Sequence, residues 1–319
     1  MHVLIIGAAG MIGRKLTAAI ARGGLPVSRL TLSDMVDPPA PPGLPVRKIV
    51  LPFTDRQAPQ LLLADRPAVI FHLAAVVSAE AEADFDKGYA VNLDATRALL
   101  EGIRRMAGYR PRLVFASSLA VFGPPFPQLV PDDFAPNPAS SYGIQKLMIE
   151  ALVNDYSRRG FIDGVSLRLP TICIRPGAAN RAASGFFSAI LREPLAGYPA
   201  NLPVDEGFRH YFASPRSAVD AFLRAALLET GSLGQNRALT LPGLSATVHD
   251  LLAALRDRQG ARALSLVTRH ADPAIATIVE SWPGNYAASR ARALGFTAET
   301  KASQLIDAYL EDDAPFLRK

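Results

Sequence analysis

His2-Val3-Leu4-Ile5-Ile6-Gly7-Ala8-Ala9-Gly10-Met11-Ile12-Gly13 stands at the start of the chain. The apolar run from His2 to Ile6 is long enough for a buried parallel strand. Glycines spaced Gly-x-x-Gly-x-x-Gly follow at once, then a helical pattern through Leu16, Ala19 and Ile20. A glycine triplet alone is often only a turn. Placed between strand and helix, it lets backbone N–H groups approach a pyrophosphate at the helix N-terminus. Gly7, Gly10 and Gly13, with Met11 and Ile12 of the first helical turn, are therefore the predicted dinucleotide cradle.

Working outward, Leu30 to Ser33 reads as the second strand, with Asp34 at its end. A carboxylate there accepts hydrogen bonds from adenosine ribose hydroxyls and repels a 2′-phosphate, which predicts NAD as the cofactor. A proline-rich loop, Asp37 to Pro45, leads to a strand over Val46 to Val50 and a helix over Arg56 to Ala64. A strand over Ala68 to His72, one long helix from Ala81 to Met106 and a strand over Arg112 to Ser117 complete the first half. Such alternation predicts an α/β protein with a Rossmann-type doubly wound parallel sheet. Ligands of such sheets lie at the carboxyl ends of the strands. Those ends carry Gly7, Asp34, Asp55, His72-Leu73-Ala74-Ala75 and Ser117-Ser118.

Tyr142-Gly143-Ile144-Gln145-Lys146 comes next. Tyr and Lys four apart share one helix face, a turn of about 5.4 Å apart. An ammonium beside a phenol favours the phenolate. Bringing a tyrosine from about 10 to about 7 takes roughly 4 kcal/mol. The product is a general base suited to an alcohol proton.

Composition sets the outer limits. A chain of 319 residues, 49% hydrophobic, can bury one large core or one large and one small. The net charge of +5 is spread along the sequence with no long basic run, so neither nucleic acid nor a membrane is an expected partner. Cys173 is the only cysteine, which excludes an intrachain disulfide and agrees with a reducing compartment. The apolar stretch Leu61 to Val77 is interrupted by Asp65, Arg66 and His72. With no signal-peptide pattern at the N-terminus, the expected location is the cytoplasm. His210, His249 and His270 form no grouping at metal-ligand spacing, and no metal is predicted. His72 reads as a core histidine, Cys173 as buried packing, and Thr247-Val248-His249-Asp250 as a capping box.

The glycine turn, Phe71-His72-Leu73-Ala74-Ala75, Val91-Asn92-Leu93, Ser118-Leu119-Ala120-Val121-Phe122-Gly123 and the Tyr142/Lys146 pair together resemble the extended short-chain dehydrogenase/reductase family. That family contains the nucleotide-sugar epimerases and dehydratases, and the resemblance covers nearly the whole chain. It implies that Ser118 orients a substrate hydroxyl, that Tyr142 is the acid/base, and that Lys146 lowers the tyrosine pKa and binds the nicotinamide ribose. It also places Phe53, Leu73, Ala74, Ala75, Asn92 and Pro170 among the cofactor contacts. The family often dimerises through two long helices, here Ala81 to Met106 and Tyr142 to Arg159, so a homodimer is expected.

Departures from the pattern are informative. Pro52 stands where the family commonly has an adenine-contacting Asp, and Gln145 replaces a usual Ser or Thr. Thr171 stands where epimerases have Asn, and Arg209-His210-Tyr211 replaces their Arg-Asp-aromatic motif. The nucleotide-sugar clamp is thus altered. Segments such as Asp155 to Gly160, Leu169 to Gly177 and Ser281 to Gly284 resemble a branch of the family that oxidises the four-carbon acid D-erythronate at carbon 2 with NAD. A carboxylate substrate calls for arginine, whose planar fork binds it bidentately. Arg175, Arg181, Arg209 and Arg216 are the candidates, with Arg216 favoured, and Ser78 and Thr171 are further candidate substrate contacts. The expected organisation is an NAD-binding domain of 1–170 joined by about 212–240. A smaller C-terminal substrate-binding lobe comprises 171–211 and 241–319. The competing expectation is a nucleotide-sugar epimerase or dehydratase that holds its NAD tightly.

Overall fold

A computed structural model describes residues 1–177, 184–280 and 282–313. In chain order the elements begin with β1 (His2–Ile6), α1 (Met11–Ala19), β2 (Arg29–Asp34), β3 (Val46–Val50), α2 (Ala58–Leu63) and β4 (Val69–His72). They continue through α3 (Ser78–Ala83), α4 (Phe85–Gly88), a π-turn (Tyr89–Asp94), α5 (Ala95–Arg104), β5 (Arg112–Ser118), α6 (Ser141–Arg158) and β6 (Asp163–Leu169). The rest comprises β7 (Thr171–Ile172), α7 (Gly185–Leu195), β8 (Ala200–Leu202), β9 (Arg209–Ala213), α8 (Pro215–Leu227), β10 (Ala238–Thr240), β11 (Leu244–Thr247) and α9 (Val248–Gln259), followed by shorter helices and the helix Ala302–Asp312.

Two compact units result. The first comprises Met1–Phe122, Pro138–Arg168 and Val219–Leu239; the second comprises Gly123–Asn137, Leu169–Ala218 and Thr240–Lys319. The segment Gly123–Asn137, which the sequence reading places in the first domain, thus belongs to the second unit.

In the first unit seven strands form one sheet in the order β10-β6-β5-β4-β1-β2-β3. The β1–β2, β2–β3, β1–β4 and β4–β5 pairings are parallel. Val3, Leu4, Ile5 and Ile6 are buried, as expected for a strand covered on both faces. Leu62, Leu63, Leu99, Leu100, Ile103, Ile149 and Val153 of α2, α5 and α6 pack with Leu4, Ile70, Leu113 and Phe115 of the sheet. From α8, Phe222 meets Phe71 of β4 edge-on at 6.2 Å between ring centroids. The chain order reverses at β1, with β2 and β3 on one side and β4 and β5 on the other. That reversal opens the crevice in which doubly wound sheets bind ligands.

One expected element is different. The long helix over 81–106 is broken at Asp84, whose backbone leaves the helical region (φ −132°, ψ 89°) while its carboxylate caps the Lys87 N–H at 3.0 Å. Further along, the helix widens into the π-turn that carries Asn92. Local polar groups thus override an otherwise continuous helical pattern.

The second unit has its own core, in which Phe187, Ile190, Leu191, Phe212, Val248, Leu251, Leu255, Leu305 and Ile306 are buried together. Its three-stranded sheet runs β11-β9-β7, and the capping box at Thr247 is present, with Thr247 and Asp250 each accepting the other's N–H. Among the described residues no helix is long and apolar enough to cross a membrane.

Candidate nucleotide-binding and catalytic site

Gly7 leaves β1 at φ +91°, a left-handed conformation that favours glycine. A Cβ there would stand 2.7 Å from Ala74 N, and one on Gly13 only 2.2 Å from Gly7 O. The turn is therefore packed backbone on backbone, directly at the sheet's reversal point. Its frame is held from both neighbouring strands: Gly7 and Ala8 N–H groups donate to Ser33 O, while Leu73 and Ala74 N–H groups donate to Ile6 O. Asp34 ends β2, where its carboxylate accepts from the Ala9 N–H at 2.9 Å and the Met35 N–H at 2.7 Å. That fixes an acidic group beside the turn. Met11 and Ile12 head α1, which has no acidic residue in its first turn and no side-chain cap, leaving its first N–H groups for an anion. These features fit a dinucleotide. Gly13→Ala is accordingly expected to weaken NAD at least about tenfold, because its Cβ must displace backbone, not a flexible side chain. A fluorescence titration giving an unchanged dissociation constant would contradict this.

Tyr142 and Lys146 lie on α6, which starts with the Ser140 hydroxyl accepting the Gly143 N–H. A Cβ on Gly143 would collide with Ala120 O at 2.1 Å, so this glycine lets α6 approach the segment just after Ser118. The Lys146 Nζ donates to Ala116 O at 2.7 Å and lies 4.6 Å from the Phe115 ring centroid and 5.5 Å from that of Tyr142. Burial pulls its pKa down to about 7, against the opposing pull of Glu150 one turn later. Glu150 is buried in turn, accepting from Ser117 Oγ at 2.6 Å and from Arg168 Nε at 2.9 Å and Nη2 at 2.7 Å. Ser118, half-buried at the end of β5, accepts the Ala120 N–H at 3.1 Å.

Other sequence candidates divide by unit. In the first, Ser78 opens α3 and is half-buried. The Phe53 ring meets His72 at 5.0 Å, and the Asn92 amide is bonded to the Val76 backbone. His72 is a core residue: Nε2 pairs with Thr96 Oγ1 at 2.8 Å, and burial holds its pKa down at about 3. In the second unit Pro170 is buried, and Thr171 Oγ1 pairs with His210 Nε2 at 2.7 Å. Arg175 Nε donates to Ile172 O at 3.0 Å, while the exposed Arg209 reaches Ser245 O at 3.3 Å. Arg216, favoured on sequence, is engaged elsewhere. Its guanidinium grips Asp312 through Nε at 3.0 Å and Nη2 at 2.6 Å, and reaches Glu311 at 2.8 Å. Arg181 lies outside the described residues. Cys173 is free and buried, its thiol pushed up to about 12 by burial. Among the described residues no three His, Cys, Asp or Glu side chains are grouped as metal ligands.

Sequence reasoning left the Ser117–Glu150–Arg168 cluster unremarked. Its only trace is a Glu one helical turn beyond Lys146 and an Arg on the next apolar strand.

A doubly wound sheet with a glycine turn at its reversal point, an acidic residue ending β2 and a Tyr-x-x-x-Lys helix defines the extended short-chain dehydrogenase/reductase class. The chain belongs to the NAD dependent epimerase/dehydratase family, whose model matches residues 3–227. It is 44% identical to a D-erythronate dehydrogenase of Cupriavidus necator over 98% of both chains. Identity is 41% to a D-erythronate dehydrogenase of Haemophilus influenzae, covering 98% of this chain and 100% of that one. A crystal structure described as the nucleoside-diphosphate-sugar epimerase from Agrobacterium tumefaciens superposes with a TM-score of 0.96 at 50% identity, covering 99% of this chain and 95% of that chain.

Proposed function

We propose that this enzyme is an NAD-dependent dehydrogenase that oxidises a small sugar acid, D-erythronate, to 2-oxo-D-erythronate. The observation that carries the reading is full-length similarity, above 40% identity, to two D-erythronate dehydrogenases from different organisms. The altered Thr171 and His210 positions, now seen hydrogen-bonded to each other, agree with a ligand other than a nucleotide sugar.

NAD, when bound, supplies the hydride acceptor; Gly7, Gly10, Met11, Ile12, Gly13 and Asp34 would hold it. The chain's own part is positioning and proton movement. Ser118 Oγ and the Tyr142 phenolic oxygen receive the carbon-2 hydroxyl, and Tyr142 takes its proton. The buried Lys146 ammonium, fixed on Ala116 O, favours the phenolate. Since Arg216 is already paired with two carboxylates, Arg175 and Arg209 are the described arginines proposed for the substrate carboxylate. The enzyme is proposed to work in the cytoplasm as a homodimer built on 85–104 and α6, on which Phe85 and Ile144 are exposed apolar residues.

D-erythronate carrying deuterium at carbon 2 tests the reading. The expected result is deuterium in the reduced cofactor and a slowed reaction. Oxidation that leaves the label on the acid would exclude carbon 2. The crystal structure described as an epimerase keeps a second reading in view: conversion of a nucleotide sugar with no net reduced cofactor.

A further inference from the structure

Gln145 immediately precedes Lys146, and its side chain is fully buried. Its Oε1 accepts from Asn92 Nδ2 at 2.7 Å. Asn92 in turn brackets Val76: its Oδ1 accepts the Val76 N–H at 2.8 Å and its Nδ2 donates to Val76 O at 3.1 Å. Val76 follows directly on the segment whose Ala74 abuts Gly7 of the glycine turn. On the other side, Asn92 O accepts from Thr96 Oγ1 at 2.8 Å, and that hydroxyl also pairs with His72 Nε2 at the end of β4. One buried series of hydrogen bonds thus joins β4, the segment after it, the π-turn, α5 and α6.

Gly88 is matched to this arrangement. A Cβ there would stand 2.8 Å from Gln145 Nε2, so a side chain at 88 would push directly on this amide. Apolar packing holds α6 on the sheet, but it is non-directional. Hydrogen bonds of fixed geometry set the register.

We propose that Gln145 is a positioning residue that clamps α6, and with it Tyr142 and Lys146, to the segment 73–76 beside the glycine turn. Its importance for turnover rests on the reading of Tyr142 as the base. The clamp itself does not.

Gln145→Met keeps length and removes the acceptor. Leaving a buried Asn donor short of a partner is expected to lower kcat about tenfold or more. The KM for the sugar acid should stay within about twofold, and the Val76 amide should exchange hydrogen about tenfold faster. An unchanged kcat, or a lowered kcat with unaltered Val76 exchange, would overturn the proposal. Should wild type oxidise no acid, the functional reading fails alone, and Val76 exchange in Gln145→Met still decides the clamp: faster supports it, unchanged refutes it. If Gln145→Met does not fold, Gly88→Ala, whose Cβ displaces the same amide, is read in the same way.

Discussion

Tyr142→Phe is expected to lose about 10²- to 10⁴-fold in turnover while binding NAD as wild type does. The substitution removes one oxygen from a half-buried ring. Lys146 keeps its bond to Ala116 O and its place over Phe115, and the Glu150–Arg168 pair behind it is untouched. The effect should therefore appear in kcat, with the cofactor dissociation constant and thermal midpoint near wild type. Turnover within about threefold of wild type would remove Tyr142 from the mechanism. Because burial brings Lys146 to about 7, the pH–rate profile is expected to bend near neutrality as this ammonium loses its proton.

Acid is expected to unfold the protein steeply. Each unit buries one neutral imidazole: His72 in the first, His210 in the second, both held down from 6.5 to about 3 by desolvation. Lys146 adds to the effect at His72; at His210 burial is the cause. Between those pH values the unfolded chain binds protons that the folded chain does not, so stability falls as pH falls. It is complete above about 6.5 and declines toward 3, by up to roughly 4–5 kcal/mol for each histidine. Total stabilities of about 5–15 kcal/mol leave little to spare. Urea unfolding should therefore show a much lower midpoint near pH 4 than at neutrality. His210→Phe, placed in a stack with Phe187 at 5.0 Å, should flatten part of that decline. A stability level across this window would contradict the burial of both rings as neutral groups.

The amino-acid pattern reveals most where causes are local. The first strand, glycine turn and first helix follow from a run of nineteen residues (2–20) and occur where the pattern places them. Asp34 ends β2 where the pattern places it, and its carboxylate accepts the Ala9 N–H of the glycine turn. Features set by distant partners are hidden. Arg216 reads as a free substrate arginine, yet Glu311 and Asp312, 95 and 96 residues onward, already hold it. The breaks at Asp84 and at the π-turn arise from a local cap and from Asn92 bonding to Val76, neither of which disturbs the apolar periodicity. Gln145 looks like a neutral replacement until Asn92 and Gly88 are seen against it. The three-stranded sheet of the second unit is built from strands of two to five residues, too short for an alternation signal to emerge.

Formation of reduced nicotinamide, followed by absorbance with a panel of four- to six-carbon aldonic acids beside UDP- and GDP-sugars, tests the central claim most directly. Strong, stoichiometric formation with D-erythronate, and none with the nucleotide sugars, is the result expected. Silence with every acid, together with conversion of a nucleotide sugar and no net reduced cofactor, would contradict it and return the chain to the epimerases.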